Sequence, residues 1–417
     1  MPYLHERKKI LQIIKWLHWS CIGSFVLLSG VLHNVSKYFL LLAAATTFYL
    51  FFFNTGKEQE RFREIDSQTK NLGLVYFIFL LSIIPSIFLV ENYWPGIKLW
   101  VSFAFYLAAF VIGRFSGIAE SKTSERAFLY MLSFSLFIFS ANVILRFFGG
   151  FIQPGGFGLD CGASTSYIAV LTIILWTLGF EFRALERIGK TICLVTSTIG
   201  AVALTLSLSR GPWLATVLVL IIYIIFNLKR DWKRPIGTFL LILVMFIALF
   251  IPNPKTHTSQ IGRFNIDFRM ARQERSTQSI AERLKTWKAA INMFVDHPVF
   301  GIGLCQFQNS YKTQYAPSDA IRRDLPGAHN NFLQFLSETG LLGISGFLVM
   351  VGYLLFSLSR LAFYKRPNYW LVAALLMILS EVFFHGMTDY TFYTSLVARI
   401  YFFVLGVAYA QGSQPQG

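Results

Sequence analysis

Charged residues are scarce in this sequence, 14% of 417 positions against 55% hydrophobic ones, with a mean hydropathy of +0.54. A soluble chain of this size carries about 25% charged residues, so the shortage excludes an ordinary water-soluble globule and points to a membrane fold. Acidic residues are the scarcer sign, 21 against 37 Lys and Arg, which leaves a net charge of +16. The basic residues lie in short clusters between apolar stretches and build no long basic face, so membrane topology explains them better than nucleic-acid binding. Cysteine is down to four residues. Cys21 and Cys193 fall in apolar runs and read as buried free thiols, whereas Cys161 and Cys305 fall on the same expected side, where a disulfide is allowed but nothing demands it. No cleavable signal peptide is expected, because the first apolar run follows a basic head and a second run follows at once, as in a retained first helix. Repeats, low-complexity tracts and an independent soluble domain are likewise absent.

What is abundant is phenylalanine, 43 residues, with nine Trp and 30 Gly, a mixture suited to lipid-facing helices, interfacial belts and close helix packing. Apolar runs able to cross about 30 Å of hydrocarbon fall near 17–33, 36–53, 73–90, 97–113, 127–147, 163–180, 191–208, 212–228, 236–252, 340–359, 370–386 and 394–411. The expected fold is therefore an all-α polytopic bundle of about twelve transmembrane helices. With both termini inside, every inside connection is basic: Arg7 to Lys15, Lys57 to Lys70, Arg114 to Arg126, Arg183 to Lys190, Lys229 to Arg234 and Arg360 to Arg366. The short outside connections near Glu91 to Gly96, Gly149 to Gly162 and Met387 to Tyr393 carry no Lys or Arg, although Lys37, Lys98 and Arg146 stand at outer helix ends. The organisation reads as a membrane bundle over 1–252, a large outer loop over 253–339, and a second membrane part over 340–417.

The loop holds eleven Lys or Arg and seven Asp or Glu, and long translocated loops escape the short-loop charge rule. Ser279-Ile280-Ala281-Glu282 has the form of a capping box that opens a helix ending near Phe294. Arg283 and Trp287 share a face of that helix. With Arg263, Arg269, Arg272, Arg275, Lys285 and Lys288 nearby, the region could bind phosphates or merely meet anionic lipid heads. Farther on, His329 stands at or just before a helix leading to the tenth span, where an imidazole can take a proton from a sugar hydroxyl. Glu338 is a second acid or base, with capping and ion-pair roles equally open. In the bundle, Arg210 of Ser209-Arg210-Gly211-Pro212 opens a helix, a place for a phosphate or diphosphate or for an arginine reaching lipid headgroups. His385 and Asp389, four apart where the eleventh span ends, can meet His329 in space, but no third ligand at suitable spacing makes them a metal site. Gly301-Ile302-Gly303 lacks the lysine and strand of a nucleotide loop.

Taken in order, Ser209-Arg210-Gly211, Arg283 with Trp287, His297-Pro298-Val299-Phe300-Gly301-Ile302-Gly303, His329-Asn330-Asn331-Phe332-Leu333-Gln334 and Glu338-Thr339-Gly340-Leu341-Leu342-Gly343 resemble the O-antigen ligase family. That family lies within the broader group of ligases and polymerases acting on polyprenyl-linked glycans. The resemblance implies a glycosyltransferase type C-like fold at the bacterial inner membrane with its site facing the periplasm. It implies transfer of an O-antigen glycan from undecaprenyl diphosphate to lipid A-core oligosaccharide, inverting, with neither metal nor cofactor. His329 would then be the general base, and Arg210 and Arg283 would hold the donor diphosphate, with Trp287, Arg263, Glu338, His385 and Asp389 in support. Partners are the lipid-linked donor, the lipid A-core acceptor and membrane lipids, with no nucleic acid; the sequence leaves the oligomeric state open. An O-antigen polymerase or another polyprenyl-diphosphate-glycan transferase is the neighbouring reading, and a polytopic transporter or flippase the reading of a different class.

Overall fold

The computed structural model describes residues 2–29, 33–53, 67–151, 154–155, 161–182, 185–207, 209–262, 280–320, 322–364 and 369–412, and their regular structure is entirely helical. The long helices are α1 (Pro2–Ser29), α2 (His33–Phe53), α3 (Ser67–Ser82), α4 (Trp94–Phe115), α5 (Lys122–Phe148), α6 (Cys161–Glu181) and α7 (Arg187–Leu206). They continue as α8 (Arg210–Asn227), α9 (Lys233–Ala248), α10 (Ile280–Asp296), α11 (Asn331–Tyr364), α12 (Tyr369–Ile378) and α13 (Ser395–Gly412). Among the described residues nine helical stretches are long and apolar enough to cross a membrane, and Val35–Leu50 and Ser395–Gln411 are shorter apolar helices. Helix α9 covers most of the remaining expected run, so each of the twelve apolar runs lands on a helix. The stretch Gly162–Glu181 is 89% buried, more than any other span; α6 is the axis around which the others keep a lipid-facing side.

Helix ends sort into two sets, as an alternating bundle requires. At one end, Leu304 N donates to Ser86 O, Gln306 Nε2 to Asn92 O, Asn253 Nδ2 to Phe151 O and Gln260 Nε2 to Thr205 O. This end joins the described part of the loop to the connections after α3, α5, α7 and α9. At the other, the buried Glu125 carboxylate at the start of α5 accepts from Tyr369, Trp370 and Gln411, tying in α12 and the end of α13. Glu181 meets Arg234 at 2.6 Å and accepts from Tyr223, which joins α6, α9 and α8. Because lipid offers helices no hydrophobic drive to associate, such polar ties and close packing hold a bundle together.

Two breaks shape the loop end. Residues 207–209 separate α7 from α8 where the sequence reads Ser-Leu-Ser before Arg210. The second break lies inside α11 at Gly340, whose φ of 60° and ψ of −161° leave the helix. The rings of Phe335 and Phe347 stack with centroids 4.3 Å apart, although twelve residues of straight helix would put them about 18 Å apart. The chain therefore folds back at Gly340, and Asn331 to Thr339 is a short helix at the bundle's end rather than part of the span.

A break of this kind strands backbone donors and acceptors, and the segment after α10 takes them up. Leu341 N and Leu342 N donate to Pro298 O and Val299 O at 2.8 and 3.2 Å, while Ile302 N and Gly303 N donate to Ser337 O and Glu338 O at 3.0 and 3.1 Å. The approach is so close that a Cβ on Gly301 (φ 71°) would overlap the Glu338 carbonyl, and one on Gly340 would overlap that of Val299. The motifs His297 to Gly303 and Glu338 to Gly343 are two halves of this backbone junction.

Candidate active site

His329 is placed by its two asparagine neighbours. Asn330 Oδ1 accepts from Phe332 N and Leu333 N at 2.9 and 3.1 Å, capping α11 and stopping it short of His329. His329 is left with φ of +49°, a left-handed backbone that costs an ordinary residue about 1 to 2 kcal/mol and that tends to gather at functional sites. The same asparagines hold the turn after α12. Asn330 Nδ2 donates to Met387 O at 3.0 Å, Asn331 Nδ2 donates to Thr391 Oγ1, and Asn331 Oδ1 accepts from Phe392 N. Behind them Phe79, Phe103, Phe335 and Phe392 interlock edge to face and tilted.

The clamped turn carries Asp389, whose Oδ1 lies 3.2 Å from His329 Nδ1 and also accepts from Tyr390 N. Both side chains are about a quarter exposed. Burial pushes the Asp389 carboxyl up, but the hydrogen bond with His329 and the neighbouring His385 and His329 outweigh it and hold it down to about 2. A carboxylate that stays ionised fixes the ring: with the proton on Nδ1 donated to Asp389, Nε2 is left as an acceptor. The Tyr390 ring, 5.4 Å away, lies against the imidazole. This pairing realises the expected meeting of His329 with Asp389.

Arg210 stands exposed at the first position of α8, and Ser209 makes no side-chain cap. It opens onto a cavity of about 340 Å³ whose wall also includes Ser209, Thr205, Gln260, Trp213, Leu249 and Ile261. Gly211 packs on the turn that carries Asp389: a Cβ there would come within 2.7 Å of Thr388 Oγ1 and 2.8 Å of His385 Cδ2. The Ser209-Arg210-Gly211 junction and the His329–Asp389 pair thus flank one turn, residues 385 to 389.

Helix α10 arrives from the other side. Thr286 Oγ1 donates to Arg283 O at 2.8 Å and also lies 3.4 Å from Ala328 O, which sets the helix against the residue preceding His329. Arg283 and Trp287 are half-buried, and the Trp287 Nε1 has no hydrogen-bond partner among the described residues. Lys285 is engaged elsewhere, with Glu282 and Asp319 at 3.2 and 3.1 Å. Arg263, Arg269, Arg272, Arg275 and the capping Ser279 lie outside the described residues. Glu338 is buried, with Oε1 accepting from Phe307 N and Oε2 from Tyr393 OH; its contacts tie the loop to the turn before α13. Cys305 is a free, exposed thiol, and the side chain of Cys161 is outside the described residues. The asparagine pair is what reading the sequence missed; two asparagines directly before an apolar helical run are themselves a capping signal.

A sequence model of the family described as O-Antigen ligase matches residues 192–348. The match takes in Arg210, Arg283 and His329 and stops short of His385 and Asp389. No curated protein matches the chain.

Proposed function

We propose, from the match of residues 192–348 to the O-antigen ligase family, that the chain transfers an O-antigen glycan from undecaprenyl diphosphate to lipid A-core oligosaccharide. Family membership makes it a multi-pass membrane glycosyltransferase of the ligase and polymerase type; the finished glycan, the lipid A-core acceptor and the periplasmic face of the inner membrane are the finer reading. The observation that carries it is the His329–Asp389 contact at 3.2 Å, on a turn packed against the Arg210 junction. In this reading His329 Nε2 takes the proton of the acceptor hydroxyl, whose oxygen attacks the anomeric carbon from the face opposite the diphosphate. The carbon–oxygen bond to diphosphate breaks with its electron pair on the leaving oxygen, and the anomeric centre inverts. Diphosphate is already a good leaving group, so the demand on the protein is fixed positive charge where negative charge develops. Arg210 and Arg283 supply it in any protonation regime, and planar guanidinium groups match phosphate oxygens. Trp287 offers a ring face for a sugar.

Complementation of strains lacking either the ligase or the polymerase, read by lipopolysaccharide gel, tests this. Long O-chains restored on lipid A-core only in the ligase-deficient strain support the reading, and rescue of the polymerase-deficient strain overturns it in favour of polymerisation.

A further inference from the structure

We propose that His385 is a further diphosphate-contacting residue, held from behind by the buried Glu381 and presenting Nε2 to the first turn of α8 beside Arg210. The proposal rests on the donor-diphosphate reading of that junction and extends it to a residue outside the segment that matches the family.

Helix α12 ends in a π-helical turn, Leu379–Phe384, a feature that often marks functional positions. Glu381 sits in this turn, fully buried, and its Oε2 lies 3.1 Å from His385 Nδ1; Ser166 Oγ lies 3.2 Å from the same nitrogen. Carboxylate and hydroxyl therefore both address Nδ1 and fix the ring. Among the described residues no hydrogen bond engages Nε2. That edge of the ring faces α8, where a Cβ on Gly211 would stand 3.1 Å from Nε2 and 2.8 Å from Cδ2. Glycine here lets the buried imidazole edge approach a helix N-terminus, whose first N–H groups have no intrahelical acceptor.

A buried carboxylate paired with an imidazole is poorly explained as a stability device, since burying an ion pair gains little over apolar packing. It is well explained as a support for a donor. When both ring nitrogens carry N–H, one is held by Glu381 and the other can donate to a non-bridging oxygen of the leaving diphosphate. No proton needs to be transferred; the hydrogen bond strengthens as the glycosidic bond breaks and charge accumulates on phosphate. The His385 carbonyl also accepts from Thr388 N and Asp389 N at 2.8 and 2.9 Å, so one residue joins the leaving-group side of the site to the carboxylate that orients His329.

The test uses the full-length protein in lipid nanodiscs with farnesyl diphosphate, a short-chain prenyl diphosphate, as probe and calorimetric titration as readout. His385→Asn keeps an amide near the Nδ1 position, where it can still meet Glu381, and loses the group at Nε2. His385→Gln extends an amide nitrogen to the Nε2 position. His385→Asn and Arg210→Ala should each weaken binding about tenfold or more, the scale of a lost charge-assisted hydrogen bond, while His385→Gln stays within about threefold of wild type. Weak binding by Arg210→Ala with wild-type binding by His385→Asn overturns the His385 proposal and leaves the diphosphate site standing. Equal weakening in both His385 variants, with melting temperatures lowered alike, assigns His385 to structure and also overturns it. Unchanged binding in all three variants rejects the diphosphate site itself, and this proposal with it.

Discussion

A general base must stand within reach of the proton it takes and hold its lone pair toward it, and in the role proposed for His329 the second requirement falls to one carboxylate. Removing the imidazole with His329→Ala should cost kcat about 10² to 10⁴, the usual worth of a positioned base, with the melting temperature near that of wild type. Asp389→Asn should cost less, on the order of tenfold or more, because Nε2 remains but the ring is no longer held in one tautomer; donor and acceptor KM should change little. Equal transfer rates in wild type and Asp389→Asn would remove Asp389 from the mechanism. The carboxylate also carries a stability signature. Its folded-state value is depressed from 3.8 to about 2, so its contribution is complete above the ordinary carboxyl value and fades as pH falls toward 2. The melting-temperature gap between wild type and Asp389→Asn should be constant from pH 7 to about pH 5 and narrow below pH 4. His329 was legible in the sequence from its place before an apolar helix and from the motif around it. Its partner is sixty residues away, and only the turn clamped by Asn330 and Asn331 brings the two together, so sequence spacing permitted the pair without fixing it.

At the scale of elements, the fold-back at Gly340 joins the helix bearing Arg283 and Trp287 to the helix that His329 precedes, through four backbone hydrogen bonds along residues 298 to 303. Side chains contribute little to that junction, so motifs that look catalytic by their density of special residues include positions chosen for the absence of a side chain. Gly340→Ala should be strongly destabilising, because φ 60° with ψ −161° is a backbone conformation essentially reserved for glycine, costing another residue about 1 to 3 kcal/mol before the overlap with the Val299 carbonyl is counted. Gly352→Ala, in the membrane part of the same helix and with nothing within 4 Å of the added methyl, should be neutral or stabilising by about 0.5 to 1 kcal/mol. Melting both variants in detergent checks the contrast, and a Gly340→Ala protein as stable as Gly352→Ala would reject the junction as described. The helices themselves were readable, because each apolar run is long and bounded by charge or by Gly and Pro. The fold-back was not: residues 331 to 364 have helical periodicity on both sides of Gly340, and a single glycine inside such a run does not announce that the chain reverses.

For the whole molecule, the step that remains is to assign the two ends of the bundle to compartments. The charge rule places the loop, Arg210 and the 385–394 turn outside, with the Glu125 and Glu181 clusters inside, and this is the orientation a periplasmic transferase needs. Native cysteines report on this poorly: Cys21 and Cys193 are buried, and partial desolvation of its sulfur together with the nearby Glu338 carboxylate pushes the thiol of the otherwise exposed Cys305 up to about 11, away from the reactive thiolate. A reporter is better introduced at Gln314 in the loop or at Lys229 between α8 and α9, both exposed, in a background with Cys161 and Cys305 changed to serine. In cells with a permeabilised outer membrane, a membrane-impermeant maleimide should label Gln314→Cys at once and Lys229→Cys only after lysis. The opposite pattern would invert the bundle and move the His329–Asp389 pair to the cytoplasmic face. Labelling of both positions before lysis would show that they do not lie on opposite sides, and the twelve-span alternation would fail with the orientation.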